Sequence, residues 1–272
     1  MLDRNDFIRI FNHARFLLRH YALGYYPVAP ETMSSMPVNR LFIPLENPNG
    51  EKNFITEAGK THVLTPGYLY FVPAYHPAQF RLDETLFFLS IQTNVEICPG
   101  VELFSDCPRM TVIPNPPQVA ELLDLVHSDE ARKHTAALRA GTLVFSMQSA
   151  LVDFYSPEDF WKPLALHEFA PLTEYLRKQG NARTSVSDLA ALQGVSRETF
   201  TRHFSRRTGL TPKELIDRFV IRHCLDLLNG GHSVKETAAL LQFSNEFVFS
   251  RYFKRNIGES PRYWLKRSRF HS

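Results

Sequence analysis

Residues 185–212, SVSDLAALQGVSRETFTRHFSRRTGLTP, and residues 233–261, SVKETAALLQFSNEFVFSRYFKRNIGESP, are two renderings of one pattern. In each, a short Ala-centred apolar segment (Leu189, Ala190, Ala191, Leu192; Ala238, Ala239, Leu240, Leu241) runs into a turn, and a Ser follows where it can N-cap a second helix. This is helix-turn-helix grammar written twice, over 185–207 and 233–255. The offset between copies is 48 up to Ser196 and Ser244, and 49 at Phe204/Phe253, Gly209/Gly258 and Pro212/Pro261. One residue is therefore inserted, and its place is expected early in the second helix of the second copy, with Ser244 as the cap. Gly209 and Gly258 suit helix ends that want positive φ, and Pro212 and Pro261 suit the first turn of the next helix.

Working outward, the carboxy-terminal region reads as seven helices. One precedes the first repeat (about 167–179), two form each repeat, a long one (about 211–229) joins the repeats, and one (about 260–267) closes the chain. Charge follows the same division. Residues 1–166 hold 13 Lys and Arg against 18 Asp and Glu, whereas residues 167–272 hold 18 against 10. A basic helical half on an acidic half points to a polyanion partner, double-stranded DNA or, as the rival, a membrane surface.

Advancing 100° per residue, Phe200 with Phe204 and Phe249 with Phe253 mark the buried sides of the second helices. The opposite side of the first then carries Glu198, Arg202, Ser205 and Arg206, with Thr201 at its edge; the other carries Phe247, Arg251, Lys254 and Arg255, with Ser250 at its edge. A central Arg on each face is suited to reading the major groove, because a guanidinium bonds guanine O6 and N7 together. Arg197, Ser205, Arg206, Lys254 and Arg255 suit phosphates. Glu198 fits either a cytosine amino group or the positive end of its own helix. The bland alternative is two solvated helix faces, against which the repetition of turn, cap, aromatic pair, Gly and Pro weighs.

Upstream the texture changes. From about 38 to 95, β-rich runs (RLFIPL, LYFVPA, TLFFLSIQT) are punctuated by Pro, Gly and Asn, as an antiparallel sandwich or barrel requires. Residues 3–21 place Phe7, Ile10, Phe11, Ala14, Leu17, Leu18 and Tyr21 at helical spacing, a core helix or an interaction arm. After Pro114-Asn115-Pro116-Pro117 the helical period returns. The stripe Leu138, Leu143, Met147, Ala150, Leu151 and Phe154 suits either the core or a twofold contact between two copies. SPEDFWKP at 156–163 reads as the join, giving domains of 1–160 and 161–272. The expected class is α+β, an amino-terminal β-barrel or sandwich with flanking helices before an all-α domain.

The charged start and the lack of an apolar run near the roughly 18 residues of a membrane span make the expectation cytoplasmic, without membrane contact. Cys98, Cys107 and Cys224 lack paired spacing, so reduced thiols are expected rather than disulfides or zinc. No nucleophile elbow or phosphate-cradling Gly loop occurs, so no enzyme activity and no cofactor is expected.

LLQFSNEFVFSRYFKRNIGESPRYW and its upstream counterpart closely resemble the signature of the AraC/XylS family of bacterial transcription regulators, over roughly the last hundred residues. The resemblance implies recognition helices entering successive major grooves, with base-reading positions at Glu198, Thr201 and Arg202 and at Glu246, Phe247 and Arg251. It also implies RNA polymerase as a partner. TPGYLYFVPAYHPAQF, residues 65–80, resembles the cupin-like sensory barrels that precede this module in many members. The H-x-H pair of metal-binding cupins is missing, so no metal is expected. Tyr25, Tyr26, Tyr68, Tyr70, Tyr75, His76 and Phe88 are the candidate contacts for a small-molecule effector, with His76 as a structural residue the competing reading. The expected protein is a ligand-modulated regulator, an activator and a homodimer. The alternatives are a cupin-like enzyme fused to the DNA-binding module, a DNA-repair methyl acceptor using Cys98 or Cys107, and a regulator without a ligand.

Overall fold

A computed structural model describes residues 12, 14–25, 33–98, 100–128 and 134–269. The strands are β1 (Arg15–Tyr25), β2 (Met33–Ser34), β3 (Asn39–Glu46), β4 (Phe54–Glu57), β5 (Lys60–Val63), β6 (Tyr68–Val72), β7 (Ala78–Arg81), β8 (Phe87–Cys98), β9 (Val101–Glu102) and β10 (Thr111–Pro114). A six-stranded antiparallel sheet runs β1-β8-β3-β6-β10 with β9 on β8, and a four-stranded sheet runs β2-β7-β4-β5. Two helices, α1 (Pro117–His127) and α2 (His134–Leu151), follow.

The larger sheet is covered on both faces, which is why β3 and β6 read as continuous apolar runs rather than alternating ones. Successive side chains still point to opposite faces. Phe42, Tyr70 and Phe88 join Ile55 and Ala78 of the smaller sheet in one core. Their neighbours Leu41, Ile43, Leu69, Phe71, Leu89 and Ile91 meet Val119 and Leu122 of α1 and Val144, Met147 and Leu151 of α2 in another. From the expected α2 stripe, Met147 and Leu151 are spent on this core. Leu138 and Phe154 stay exposed.

Residues 15–25 form a strand, where helical spacing suggested a helix; residues 3–11 of that stretch lie outside the described residues. The reason is local. β1 pairs with β8 from Phe87 to Glu96, and a bulge between Leu18 and His20 interrupts its two-residue alternation. A bulge re-aims a side chain. Here that residue is Arg19, whose Nη1 lies 2.7 Å from Asp226 in the helical region and whose Nε donates to Asn94 Oδ1 at 2.8 Å.

The helical region holds α3 (Trp161–Ala165), α4 (Ala170–Gln179), α5 (Val186–Leu192), α6 (Arg197–Thr208), α7 (Pro212–Asn229), α8 (Val234–Leu240), α9 (Glu246–Ile257) and α10 (Pro261–Arg269). Its core is continuous with the sheet region, since Met36, Val38, Ile97 and Val101 pack into the same cluster as Phe219, Ile221 and Leu225 of α7. α7 buries ten of its eighteen residues, Arg222 among them. Arg222 Nη1 meets Glu96 Oε1 of β8 at 2.5 Å, and both side chains are under a tenth exposed. Gly100 closes the seam. Its φ of 78° suits glycine, and a Cβ there would lie 2.0 Å from the Phe219 ring.

Caps fix the helix starts. Ser185, Thr211 and Ser233 form reciprocal capping boxes with Asp188, Glu214 and Glu236, and Ser196 accepts from the Thr199 N–H. The expected cap Ser244 is displaced by Asn245, whose Oδ1 accepts from the N–H groups of Phe247 and Val248 at 3.0 and 2.9 Å. The matching turn bonds Val195 N–H to Ala190 O and Phe243 N–H to Ala238 O keep the offset of 48. The inserted residue is therefore Ser244 itself, in the turn before the helix.

Two outcomes follow for stability. Asn245→Ala should cost about 1 kcal/mol in a urea melt while Ser244→Ala stays within about 0.5 kcal/mol; equal losses would return the cap to Ser244. Arg222→Met should cost about 3–5 kcal/mol, because it strands a buried carboxylate, and the double variant Arg222→Met/Glu96→Gln should recover most of that. An additive double variant would show that the two groups do not act as a pair.

Candidate nucleic-acid interface

The second helices of the repeats are held in rotation by aromatic rings. Phe200 and Phe204 of α6 are buried, their rings tilted with centres 5.5 Å apart, and Phe204 meets Phe169 at 4.9 Å. In α9, Phe249 lies 5.2 Å from Phe243, and Phe253 lies 6.2 Å from Trp264. Each helix ends at a left-handed glycine, Gly209 at φ 69° and Gly258 at φ 93°. With these faces buried, the opposite faces are fixed outward.

On α6, Arg197, Glu198, Arg202 and Arg206 are exposed, and Thr201 and Ser205 are half-buried at the edge. On α9, Phe247, Arg251, Lys254 and Arg255 are exposed, with Glu246 and Ser250 half-buried. The structure thus brings each set together on one outward face, as the helical rotation requires. Among the described residues no ion pair engages Arg202, Arg206, Arg251 or Lys254, so their charge is available to a partner. Arg255 instead lies over the Tyr252 ring at 5.4 Å. Phe247 is 75% exposed, an arrangement with no folding benefit that suits contact with a thymine methyl group.

The two faces are tied to one another through α7. The Tyr252 hydroxyl donates to Asp217 Oδ1 at 2.9 Å, which joins α9 to the helix that follows α6. Burial beside the Asp217 carboxylate raises the pKa of that phenol, so it stays a donor. Arg207 pairs with Glu168 and anchors the end of α6 to the segment before α4.

The candidate effector residues do not share one place. Tyr70 and Phe88 are buried between the sheets, with the Tyr70 hydroxyl donating to Val63 O and accepting from Thr65 N–H. Tyr25 is exposed and packs on Phe87; Tyr68 is exposed at the start of β6; Tyr26 lies outside the described residues. Tyr75 sits at the seam, under the Arg218 guanidinium at 4.6 Å, with a positive φ of 63°. His76 Nε2 lies 2.8 Å from Glu57 Oε1, which also accepts from Met110 N–H. Among the described residues, no group of three His, Cys, Asp or Glu side chains stands ready to hold a metal. Cys107 and Cys224 are buried free thiols whose pKa burial pushes up, which makes them poor nucleophiles; the Cys98 side chain lies outside the described residues.

Sequence reasoning missed two sets of residues. Arg19, Glu96 and Arg222 meet only across the seam, and nothing in their sequence spacing signals it. Lys235, Arg262 and Lys266 gather beside α9 from two other helices, and their first-copy counterparts Ser187, Lys213 and Asp217 hold one cation, so the repeat alignment does not signal the grouping.

Residues 189–267 match a helix-turn-helix domain family. The chain is 32% identical over 155 residues to YidL of Escherichia coli K12, an uncharacterized HTH-type transcriptional regulator, covering 57% of this chain and 51% of that one. It is 24% identical over 151 residues to the raffinose operon transcriptional regulatory protein RafR of Pediococcus pentosaceus, covering 54% and 53%. The chain thus spans about half the length of the curated relatives it matches. In fold it is similar to ToxT of Vibrio cholerae in a crystal structure with unsaturated fatty acid bound, at a TM-score of 0.57 and 10% identity over 94% of this chain and 95% of that one. No helix among the described residues is long and apolar enough to cross a membrane. The duplicated helix-turn-helix unit and these similarities agree on a helix-turn-helix domain over residues 189–267, in a chain similar to transcriptional regulators.

Proposed function

We propose that the chain is a sequence-specific DNA-binding transcription regulator whose two outward helices, α6 and α9, read neighbouring major grooves. The observation that carries this is the repetition of a solvent-facing Arg, without an ion pair among the described residues, at equivalent places, Arg202 and Arg251, each opposite a buried aromatic pair. Glu198, Thr201, Glu246, Phe247 and Ser250 complete the base-reading faces, and Arg197, Ser205, Arg206, Lys254 and Arg255 hold phosphates. Homodimer formation through α2, where Leu138 is 76% exposed and Phe145 is 45% exposed, and contact with RNA polymerase in the cytoplasm complete the reading.

Arg202→Ala and Arg251→Ala should each cost about 1–3 kcal/mol at an operator obtained by in vitro selection, with binding to unrelated duplex nearly intact. Fluorescence anisotropy on the two duplexes measures both. Equal losses on operator and unrelated DNA would remove the two arginines from base reading.

The amino-terminal region is the proposed site of an apolar or amphipathic effector. Support comes from the aromatic core of Phe42, Tyr70, Phe80 and Phe88 between the sheets and from the fold shared with a protein that binds an unsaturated fatty acid. A thermal-shift screen with fatty acids, sugars and aromatic acids should raise the melting temperature with one class, because a ligand of the folded state stabilises it. Titration of that effector with and without operator should then give two affinities differing by the factor by which effector alters operator affinity. Identical affinities would exclude control through DNA binding.

A further inference from the structure

We infer that Lys235, Arg262 and Lys266 form a phosphate-holding cleft that anchors the second helix-turn-helix unit to the DNA backbone. This rests on the DNA-binding reading above and assigns a distinct task to one repeat. The three cations line an open cleft of about 650 Å³ together with Val234, Leu265 and Glu246, the first residue of α9. All three side chains are exposed, and among the described residues none is held in an ion pair.

The first repeat lacks this feature. At the repeat offsets, Lys235 corresponds to Ser187, Arg262 to Lys213 and Lys266 to Asp217. Lys213 Nζ is bound to Asp217 Oδ1 at 2.8 Å, so the one matching cation is already neutralised. The charge has moved rather than vanished. Where the second repeat has Glu246, the first has Arg197, a cation on the reading helix itself. A Glu at that point would repel a nearby phosphate, so cations from α8 and α10 must supply the attraction that Arg197 supplies in the first copy.

The position favours DNA over an acidic protein. The cleft opens beside the amino-terminal end of a reading helix, and a helix seated in the major groove brings that end close to the flanking phosphates. Three cations from two helices on one cleft can meet more than one phosphate, with Glu246 left to accept from a base amino group.

The test uses the full chain, with anisotropy measured across a salt series on the selected operator and on an unrelated duplex. Each of Lys235→Gln, Arg262→Gln and Lys266→Gln should flatten the slope of log affinity against log salt by about 0.9, and the triple variant by about 2–3. Both duplexes should lose affinity by similar factors. Lys235→Arg and Lys266→Arg should keep the wild-type slope, and Lys213→Gln should leave it unchanged; a matching far-ultraviolet dichroism melt shows that the variants are folded. An unchanged slope in the triple variant overturns the proposal, as does a loss confined to the operator. Unchanged DNA affinity with lost transcription would assign the cleft to an acidic protein instead. If the wild-type chain bound no duplex at low salt, the DNA-binding reading would fail with it; if wild type binds and the triple variant binds equally, only this inference fails.

Discussion

The seating of α7 on the edge of the larger sheet is the contact on which the rest of the molecule depends. α7 joins the two repeats, and its buried side is shared between the helical core and Met36, Val38, Ile97 and Val101 of the sheet region. Within this apolar seam lies the buried ion pair of Arg222 with Glu96. Taking two charges out of water is costly, and their attraction offsets it only when geometry is good. Glu96 gains further support from the Gly100 N–H at 3.0 Å, while Arg222 Nη2 is left without a hydrogen-bond partner. Such a pair adds little net stability, but it penalises every other register of helix on sheet.

Around it lies a second layer of buried polar groups that shape β8 and β9. Glu102 accepts from Asn39 and Asn94 at 2.8 and 2.7 Å and from the Val95 N–H at 3.0 Å. Burial pushes its carboxyl pKa up, and the hydrogen bonds from Asn39 and Asn94 oppose the shift. Asn94 also accepts from Arg19, whose guanidinium reaches Asp226 on α7. The bulge in β1, the interior of the sheet and the linking helix are thus joined by side chains at hydrogen-bond distance. A displacement of β8 therefore acts on α7 directly, through the buried Arg222–Glu96 pair and the part-exposed Arg19–Asp226 pair.

That linkage gives physical content to the proposed control of DNA binding from the sheet region. The reading helices flank α7, and Tyr252 fixes α9 to it through Asp217. A ligand that favoured one packing of the sheets would bias the seam by its differential affinity and no more. On the proposed reading, the exposed faces of α6 and α9 carry the DNA contacts, and the seam decides how they are presented together.

The sequence by itself determined the helical region, because its information is local. Capping residues, the aromatic pairs at four-residue spacing, Gly209, Gly258 and the two prolines each act within a turn or two, and their repetition made the outward faces of Arg202 and Arg251 legible. Local reading also misplaced two features for identifiable reasons. Ser244 and Asn245 are both good caps, and only the turn geometry selects Asn245; the β1 bulge broke the alternation that would have marked residues 15–25 as a strand. Tertiary structure alone decided which aromatic residues of β3, β6 and β8 face the smaller sheet and which face α1 and α2, since a strand buried on both sides has no polar face to mark its register. It alone also brought Arg19, Glu96 and Arg222 together and gathered Lys235, Arg262 and Lys266 beside α9. Contacts between residues far apart in the chain are set by packing, which no local pattern records.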